Sequence, residues 1–241
     1  RFRDRLGRRY RLARRIFLNR LLNGSSQHQP GDAIVMLSRE DLFPTDHGAA
    51  VKIVETARGM SLNGRKVFLV THSRTHFWQF QNGERSQHAL PRWLRLLGQP
   101  LPLLKLSHYT LDIPESNAFL YMPLSDGSFF WRVLWVAARH QAGVLQAEFP
   151  AYALPCQQAG EILEIPTVLV EHNVEYALLR AQVPELTEDQ FGRFRAIEID
   201  LCNRSEAVVC VSDNDRQRLA ADGVHPGRLH TIPHGIDLHA F

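Results

Sequence analysis

Pro166-Thr-Val-Leu-Val-Glu-His-Asn-Val-Glu-Tyr176 changes character at its midpoint. Residues 167–170 are a short, β-branched apolar run of the kind that forms a strand buried on both faces. Glu171, His172, Asn173 and Glu175 follow at once and crowd carboxylates, an imidazole and an amide into the residues beyond the strand. In an open parallel sheet the ligand crevice lies outside those carboxyl ends. The stretch therefore implies both a fold class and the place where chemistry would sit. The alternative is a solvated loop in which Asn173 makes a turn and His172 is a satisfied polar residue.

Strand and helix patterns alternate on either side of it. Upstream, residues 152–163 read as a helix, and 144–147 as a strand running into Glu148, Phe149 and Pro150. Residues 129–138 read as a helix with a wide apolar face and 118–122 as a strand. Downstream, Thr187 with Gln190 forms a capping-box pattern that opens a helix with Phe191, Phe194, Ile197 and Leu201 inward. Glu198 falls one residue past that face. Residues 207–211 make a further strand, Ser212 with Asp215 caps a helix that Gly223 ends, and 229–232 is the last strand.

Nearer the N-terminus, Ala33 to Leu37 is a buried strand. A loop through Phe43, Pro44, Asp46, His47 and Gly48 leads into a helix with Ile53, Ala57 and Met60 on one face, stopped by Asn63 and Gly64 before a strand at 67–70. This βαβ unit places Gly48 at the carboxyl edge, where helix N–H groups can meet an anion; a plain turn glycine is the other reading. No G-x-G-x-x-G or Walker motif occurs, so a dinucleotide dehydrogenase or P-loop enzyme has no support. The aromatic and leucine-rich residues from Trp78 to Leu106 suggest a helical insertion on the sheet edge, with Arg74 and Arg85 either solvated or functional. Steady alternation of strands and helices implies an α/β fold, a Rossmann-like parallel sheet with helices on both faces.

At 241 residues and 44% hydrophobic content, the chain can bury a sizeable core. The first twenty residues hold nine arginines against Asp4 alone, a local charge of +8; the whole chain is +3, which leaves −5 for the rest. Basicity is thus local, and a nucleic-acid-binding body is not expected. Residues 1–22 read as a basic amphipathic helix with Leu6, Tyr10, Ala13, Phe17 and Leu21 on one stripe, able to lie on an anionic membrane surface or to pack on protein. Residues 23–32 have linker composition. The expected division is a helix and linker over 1–31 and a domain over 32–241. Cys156, Cys202 and Cys210 lack metal-ligand spacing, and their odd number in apolar surroundings fits a reducing cytoplasm. No apolar run reaches the ~18 residues of a membrane span. Residue 1 is an arginine, so the natural start is expected upstream.

Four segments then carry a resemblance. The Gly48 loop and helix with the Gly64-Arg65-Lys66-Val67 exit, the stretch through His172 and Tyr176, Val209-Cys210-Val211-Ser212-Asp213, and Ile232-Pro233-His234-Gly235-Ile236-Asp237 occur in an order that resembles the amino-terminal half of a family 4 glycosyltransferase with the GT-B architecture. That family's closing motif usually reads Pro-Asn-Gly-Val-Asp, so His234 and Ile236 depart from it. Asp46 and His47 precede one glycine where the family often has two. The resemblance implies two Rossmann-like domains, the first binding acceptor and the second the nucleotide-sugar donor, with retention at the anomeric carbon. It implies that Gly48 offers backbone N–H to the donor diphosphate and that His172 is catalytic, beside the reacting carbon. His47, Glu148, Asn173 and Glu175, with Glu171, are then cleft or acceptor residues, the acceptor being a glycan or lipid-linked sugar. No metal ligand set is expected, nor a cofactor beyond the nucleotide sugar. The donor half, with its pair of glutamates, is expected outside this chain, which alone would not turn over. A cytoplasmic protein, peripheral on the inner face of the membrane, fits this picture. A stand-alone, non-catalytic α/β binding domain and half of a GT-B nucleotide-sugar epimerase are the other readings.

Overall fold

The computed structural model describes residues 30–38, 42–45, 47–96 and 127–235. The elements are β1 Ala33–Leu37, α1 Gly48–Leu62, β2 Val67–Val70, β3 His76–Gln81, β4 Glu84–Ala89, α2 Arg92–Leu96, α3 Gly127–Arg139 and β5 Ala142–Glu148. They continue with α4 Ala153–Leu163, β6 Thr167–Glu171, α5 Glu175–Gln182, α6 Glu188–Arg204, β7 Ala207–Cys210, α7 Asp213–Ala221 and β8 Leu229–Thr231. One sheet joins all eight strands in the order β4-β3-β2-β1-β5-β6-β7-β8. The six strands from β2 to β8 along that order are parallel; β3 is antiparallel to β2 and β4 to β3.

Alternation along the strands divides the core between the two faces. Val35, Leu37, Phe68 and Val70 face the larger cluster, packed under Phe130 and Leu134 of α3, Ala159 of α4 and Phe194 and Leu201 of α6. Met36, Val67 and Leu69 point the other way, against Ala50, Ile53 and Ala57 of α1 and Phe80 of β3. A fully buried side chain such as Ile53 contributes about 1.5–3 kcal/mol by leaving water. The fold class is the one the alternation implies, an α/β sheet covered on both faces.

Local chemistry sets the helix ends. His47 caps α1 through Nδ1, which accepts from Ala50 N–H at 3.2 Å, and Asn63 with Gly64 (φ +81°) ends it. Thr187 and Gln190 complete the expected capping box of α6, and Ser212 accepts from Asp215 N–H at the start of α7.

Three expectations are corrected or fall elsewhere. The expected helical insertion is instead, over residues 76–89, a β-hairpin that widens the sheet by two strands. Asn82 and Gly83 both have positive φ, +52° and +81°, the backbone of a two-residue turn whose twist suits a hairpin. Glu198, expected just beyond the inward face of its helix, is fully buried. Residues 175–182, unassigned from sequence beyond Tyr176, form α5. The expected helix at 1–22, the strand at 118–122, the run from 97 to 106, and Asp46, Ile236 and Asp237 lie outside the described residues.

Close backbone approach fixes Gly143. A Cβ there would lie 2.1 Å from the Gly31 carbonyl oxygen, beside the register shift between β1 and β5. Gly143→Ala must move backbone and should cost about 2 kcal/mol or more, lowering the thermal midpoint by roughly 4–8 °C for a chain this size. Gly59, inside α1, has nothing within 4 Å of an added Cβ. Gly59→Ala should instead stabilise by about 0.5–1 kcal/mol. Paired thermal melts measure both.

Candidate active site

The strand order turns at β1 and β5. From β1 the chain crosses to β2 on one side, and from β5 it crosses to β6 on the other, with α1 and α4 on opposite faces. This leaves the adjoining carboxyl ends of β1 and β5 open as a switch point.

Glu148, the last residue of β5, is fully buried there. Its Oε2 accepts from Lys52 Nζ of α1 at 2.9 Å and from His172 Nε2 at 2.8 Å, and its Oε1 accepts from Gln146 Nε2 at 2.6 Å. His172, 7% exposed, lies one residue past β6. Phe149 stacks on its ring, with centroids 4.0 Å apart and planes 16° apart, and the His234 ring lies 6.0 Å away. Phe149 takes up φ +83°, rare for a residue with a side chain. Its own N–H donates to Val170 O at 3.0 Å, tying the end of β5 to β6.

Electrostatics fix the proton. Burial pushes the Glu148 carboxyl up, but the His172 hydrogen bond and the Lys52 charge outweigh it and hold the group below its ordinary value. Burial is also the largest influence on His172 and lowers it; the Glu148 bond opposes, Lys52 and His234 assist, and the imidazole ends below 6.5. A carboxylate only accepts, so neutral His172 carries its hydrogen on Nε2 and presents a bare Nδ1 lone pair. Nδ1 has no hydrogen bond among the described residues.

The N-terminus of α1 adjoins this group through Lys52, one turn on from Gly48. Ala50 N–H is spent on His47 Nδ1 and Val51 N–H on His47 O at 3.0 Å, whereas Gly48 and Ala49 N–H have no acceptor among the described residues. Gly48 is exposed, and a Cβ there would meet nothing within 4 Å. Close approach of a ligand is open at this point.

The remaining sequence-derived residues divide. His47 is exposed and its Nδ1 is occupied by capping. Asn173 is exposed, with Nδ2 a long 3.5 Å from Glu175 Oε1. Glu171 and Glu175 are buried away from His172, in a separate cluster with Glu198. Glu198 accepts from the backbone N–H groups of Glu175 and Tyr176, each at 2.8 Å. It thereby caps α5, whose own N-cap Val174 has no side-chain acceptor. Burial first, then the Glu175 charge, pushes Glu198 up to about 8 against those two backbone bonds. Glu171 accepts from Cys202 Sγ at 3.3 Å, and burial first, then the Glu198 and Glu175 charges, raise its carboxyl well above the ordinary value. Lys52, Gln146 and the Phe149 stack were not singled out from sequence. Their meeting depends on the first turns of α1 reaching the end of β5 across 96 residues of chain, which no local spacing reveals. Among the described residues no group of three or more His, Cys, Asp and Glu is placed to hold a metal ion, and no helix is long and apolar enough to cross a membrane.

Both members of the His172–Glu148 pair are lowered, so their stabilising contribution is present at neutral pH. It is lost on acidification, for His172 below 6.5 and for Glu148 below 4.5. By NMR titration, His172 should protonate below the ordinary histidine value, and in Glu148→Gln lower still, because Glu148 is what raises it. An unchanged or higher value in Glu148→Gln would contradict the pairing.

The family model described as Glycosyltransferase Family 4 matches residues 47–240. The fold is similar to that of Anabaena HepE, solved in complex with UDP-glucose, at 14% identity and a TM-score of 0.50, covering 86% of this chain and 45% of HepE. It is also similar to sucrose-phosphate synthase from Thermosynechococcus elongatus, at 16% identity and a TM-score of 0.54, covering 87% and 50%. The chain thus spans about half the length of these structures. No curated protein is significantly similar to it.

Proposed function

The chain belongs to glycosyltransferase family 4, and from that premise we propose that it forms the acceptor-side half of a retaining glycosyltransferase. The reaction moves a sugar from a nucleotide-sugar donor to a glycan or lipid-linked acceptor. A second Rossmann-like domain, outside these 241 residues, grips the donor nucleotide and closes over the carboxyl edge of this sheet.

The observation that carries this reading is the His172–Glu148–Lys52 group beside two unspent N–H groups at the start of α1. Glycosyl transfer passes through an oxocarbenium-like state as the diphosphate departs. Donors aimed at the leaving group stabilise it more than they stabilise the bound substrate. Gly48 and Ala49 N–H supply such donors, and the helix N-terminus adds positive potential. Lys52 is committed to Glu148 and acts by charge rather than by direct contact. His172, neutral at working pH, accepts a sugar hydroxyl at Nδ1 and places no positive charge beside the developing oxocarbenium. Glu148 positions the imidazole and selects its tautomer. Asn173 and His47, both exposed, serve as acceptor residues, His47 while its Nδ1 caps α1; Glu171 and Glu175 keep a structural part in the buried cluster with Glu198, which caps α5. HepE, solved with UDP-glucose, supports a nucleoside diphosphate sugar as donor class.

His172→Gln tests the role without emptying the site, because the glutamine amide can still donate to Glu148. In the protein carrying both halves, turnover should fall about a hundredfold or more, as for loss of one transition-state contact worth ~3 kcal/mol. The thermal midpoint should shift by no more than about 1 kcal/mol of stability allows. Near-normal turnover would return His172 to a structural part. The 241-residue chain alone should show no multiple turnover with any nucleotide sugar; sustained turnover would contradict the two-domain reading.

A further inference from the structure

We propose that the β3–β4 hairpin carries a second carbohydrate subsite, selective for an acidic sugar of the acceptor glycan and built on Arg85. This rests on the acceptor-side reading above and gives the acceptor a chemical class. Trp78 of β3 and Phe43, in the loop that leads into α1, meet with ring centroids 4.6 Å apart. The Arg85 guanidinium carbon lies 3.9 Å from the Phe43 centroid and 4.7 Å from that of Trp78. Arg85 is exposed, and it makes no hydrogen bond or ion pair among the described residues. Two rings therefore fix the guanidinium in place while its N–H donors stay unspent. Such a fork, held in advance, is suited to bidentate contact with a carboxylate.

The surroundings are built the same way. Residues 71–93 contain Arg74, Arg85 and Arg92 against Glu84 alone, and none of these arginines meets a carboxylate among the described residues. Half-buried His76 stands edge-on to Trp78 at 5.2 Å. Its Nδ1 is 2.9 Å from Ser73 Oγ and 3.0 Å from Thr75 Oγ1, grouping hydroxyls beside the aromatic rings. Aromatic rings offer the apolar face of a pyranose a partner, and hydroxyls and the guanidinium serve its polar rim.

Placement makes this an acceptor subsite rather than an isolated basic patch. Phe43 and Trp78 pack against the small core under α1, and Phe149 packs against both that core and the larger one, so the ring that covers His172 adjoins the face that carries the Arg85 stack. From β3 to β6 is four strand steps, about 19 Å at ~4.8 Å each, and the register sets Trp78 level with Val168, about 13 Å short of His172 along the strand; the combined span of about 23 Å is the reach of an oligosaccharide several rings long. An acceptor whose reacting hydroxyl lies at His172 extends an acidic sugar to Arg85.

The test is binding of tetragalacturonate to the 241-residue chain, measured by calorimetry and by Trp fluorescence, with the fully methyl-esterified tetrasaccharide as the neutral match. Tetragalacturonate should bind about tenfold or more tightly than its ester. Arg85→Gln, which keeps the stem but removes the charge, should erase that difference with an unchanged thermal midpoint, and Arg85→Lys should restore it only in part. Equal binding of acid and ester, no binding of either, or tetragalacturonate binding unaltered in Arg85→Gln would overturn the subsite. So would a loss seen in an Arg74→Gln, Arg92→Gln variant and absent in Arg85→Gln. None of these outcomes bears on transfer itself. Arg85-dependent binding by a protein whose complete form transfers no sugar would sink the transferase reading and leave the subsite standing.

Discussion

Glu148 buries a charge at the end of β5, and a buried charge is costly unless it is paired and hydrogen-bonded. Compensation comes from three directions: Lys52 on α1, His172 past β6, and Gln146 two residues back on the same strand face. The need to satisfy one carboxylate therefore fixes where the N-terminus of α1 sits relative to β5 and which nitrogen of His172 holds the hydrogen. The stacked Phe149, held at positive φ, closes the group from above. Removing a single partner would leave the carboxylate underpaired, which costs more than the pair is worth as a net gain.

The neighbouring strand ends in the opposite state. Glu171 closes β6 as Glu148 closes β5, yet it turns to the other face, toward Glu198 and Cys202. With carboxylates rather than a lysine around it, burial wins and the carboxyl is raised where that of Glu148 is lowered. Glu198 beside it caps α5 with two backbone bonds. The short segment 172–174 is thus pinned at one end by a charged carboxylate and at the other by a helix cap. Rigid support on both sides suits a side chain that must hold its orientation while a substrate changes charge. It also explains why residues adjacent in sequence, His172 and Glu175, have separate parts.

Much of the fold was legible because local pattern and tertiary structure agree. The apolar runs at 33–37 and 67–70 are strands to the residue, and the Thr187/Gln190 box opens α6 as its spacing implies. The hairpin is less legible because its aromatic residues, followed by a leucine-rich run, also fit a helix face. Asn82-Gly83 between alternating runs was the signal that decides it. His172 was legible from its place beyond a buried strand, and Glu148 from the end of another. That they bond to one another was not, since the contact spans 24 residues and depends on β5 lying beside β6. Lys52 and Arg85 look like any surface cations in sequence; only the packing of α1 and the hairpin gives them partners.

The central claim is that the reacting sugar sits between the α1 N-terminus and the bare nitrogen of His172. A crystal structure of the complete protein with the intact nucleotide sugar that it turns over tests this most directly. The expected result is a diphosphate oxygen within hydrogen-bond distance of Gly48 or Ala49 N–H and a sugar hydroxyl within about 3.2 Å of His172 Nδ1. A nucleotide sugar bound with its diphosphate away from α1 and its sugar out of reach of His172 would contradict it.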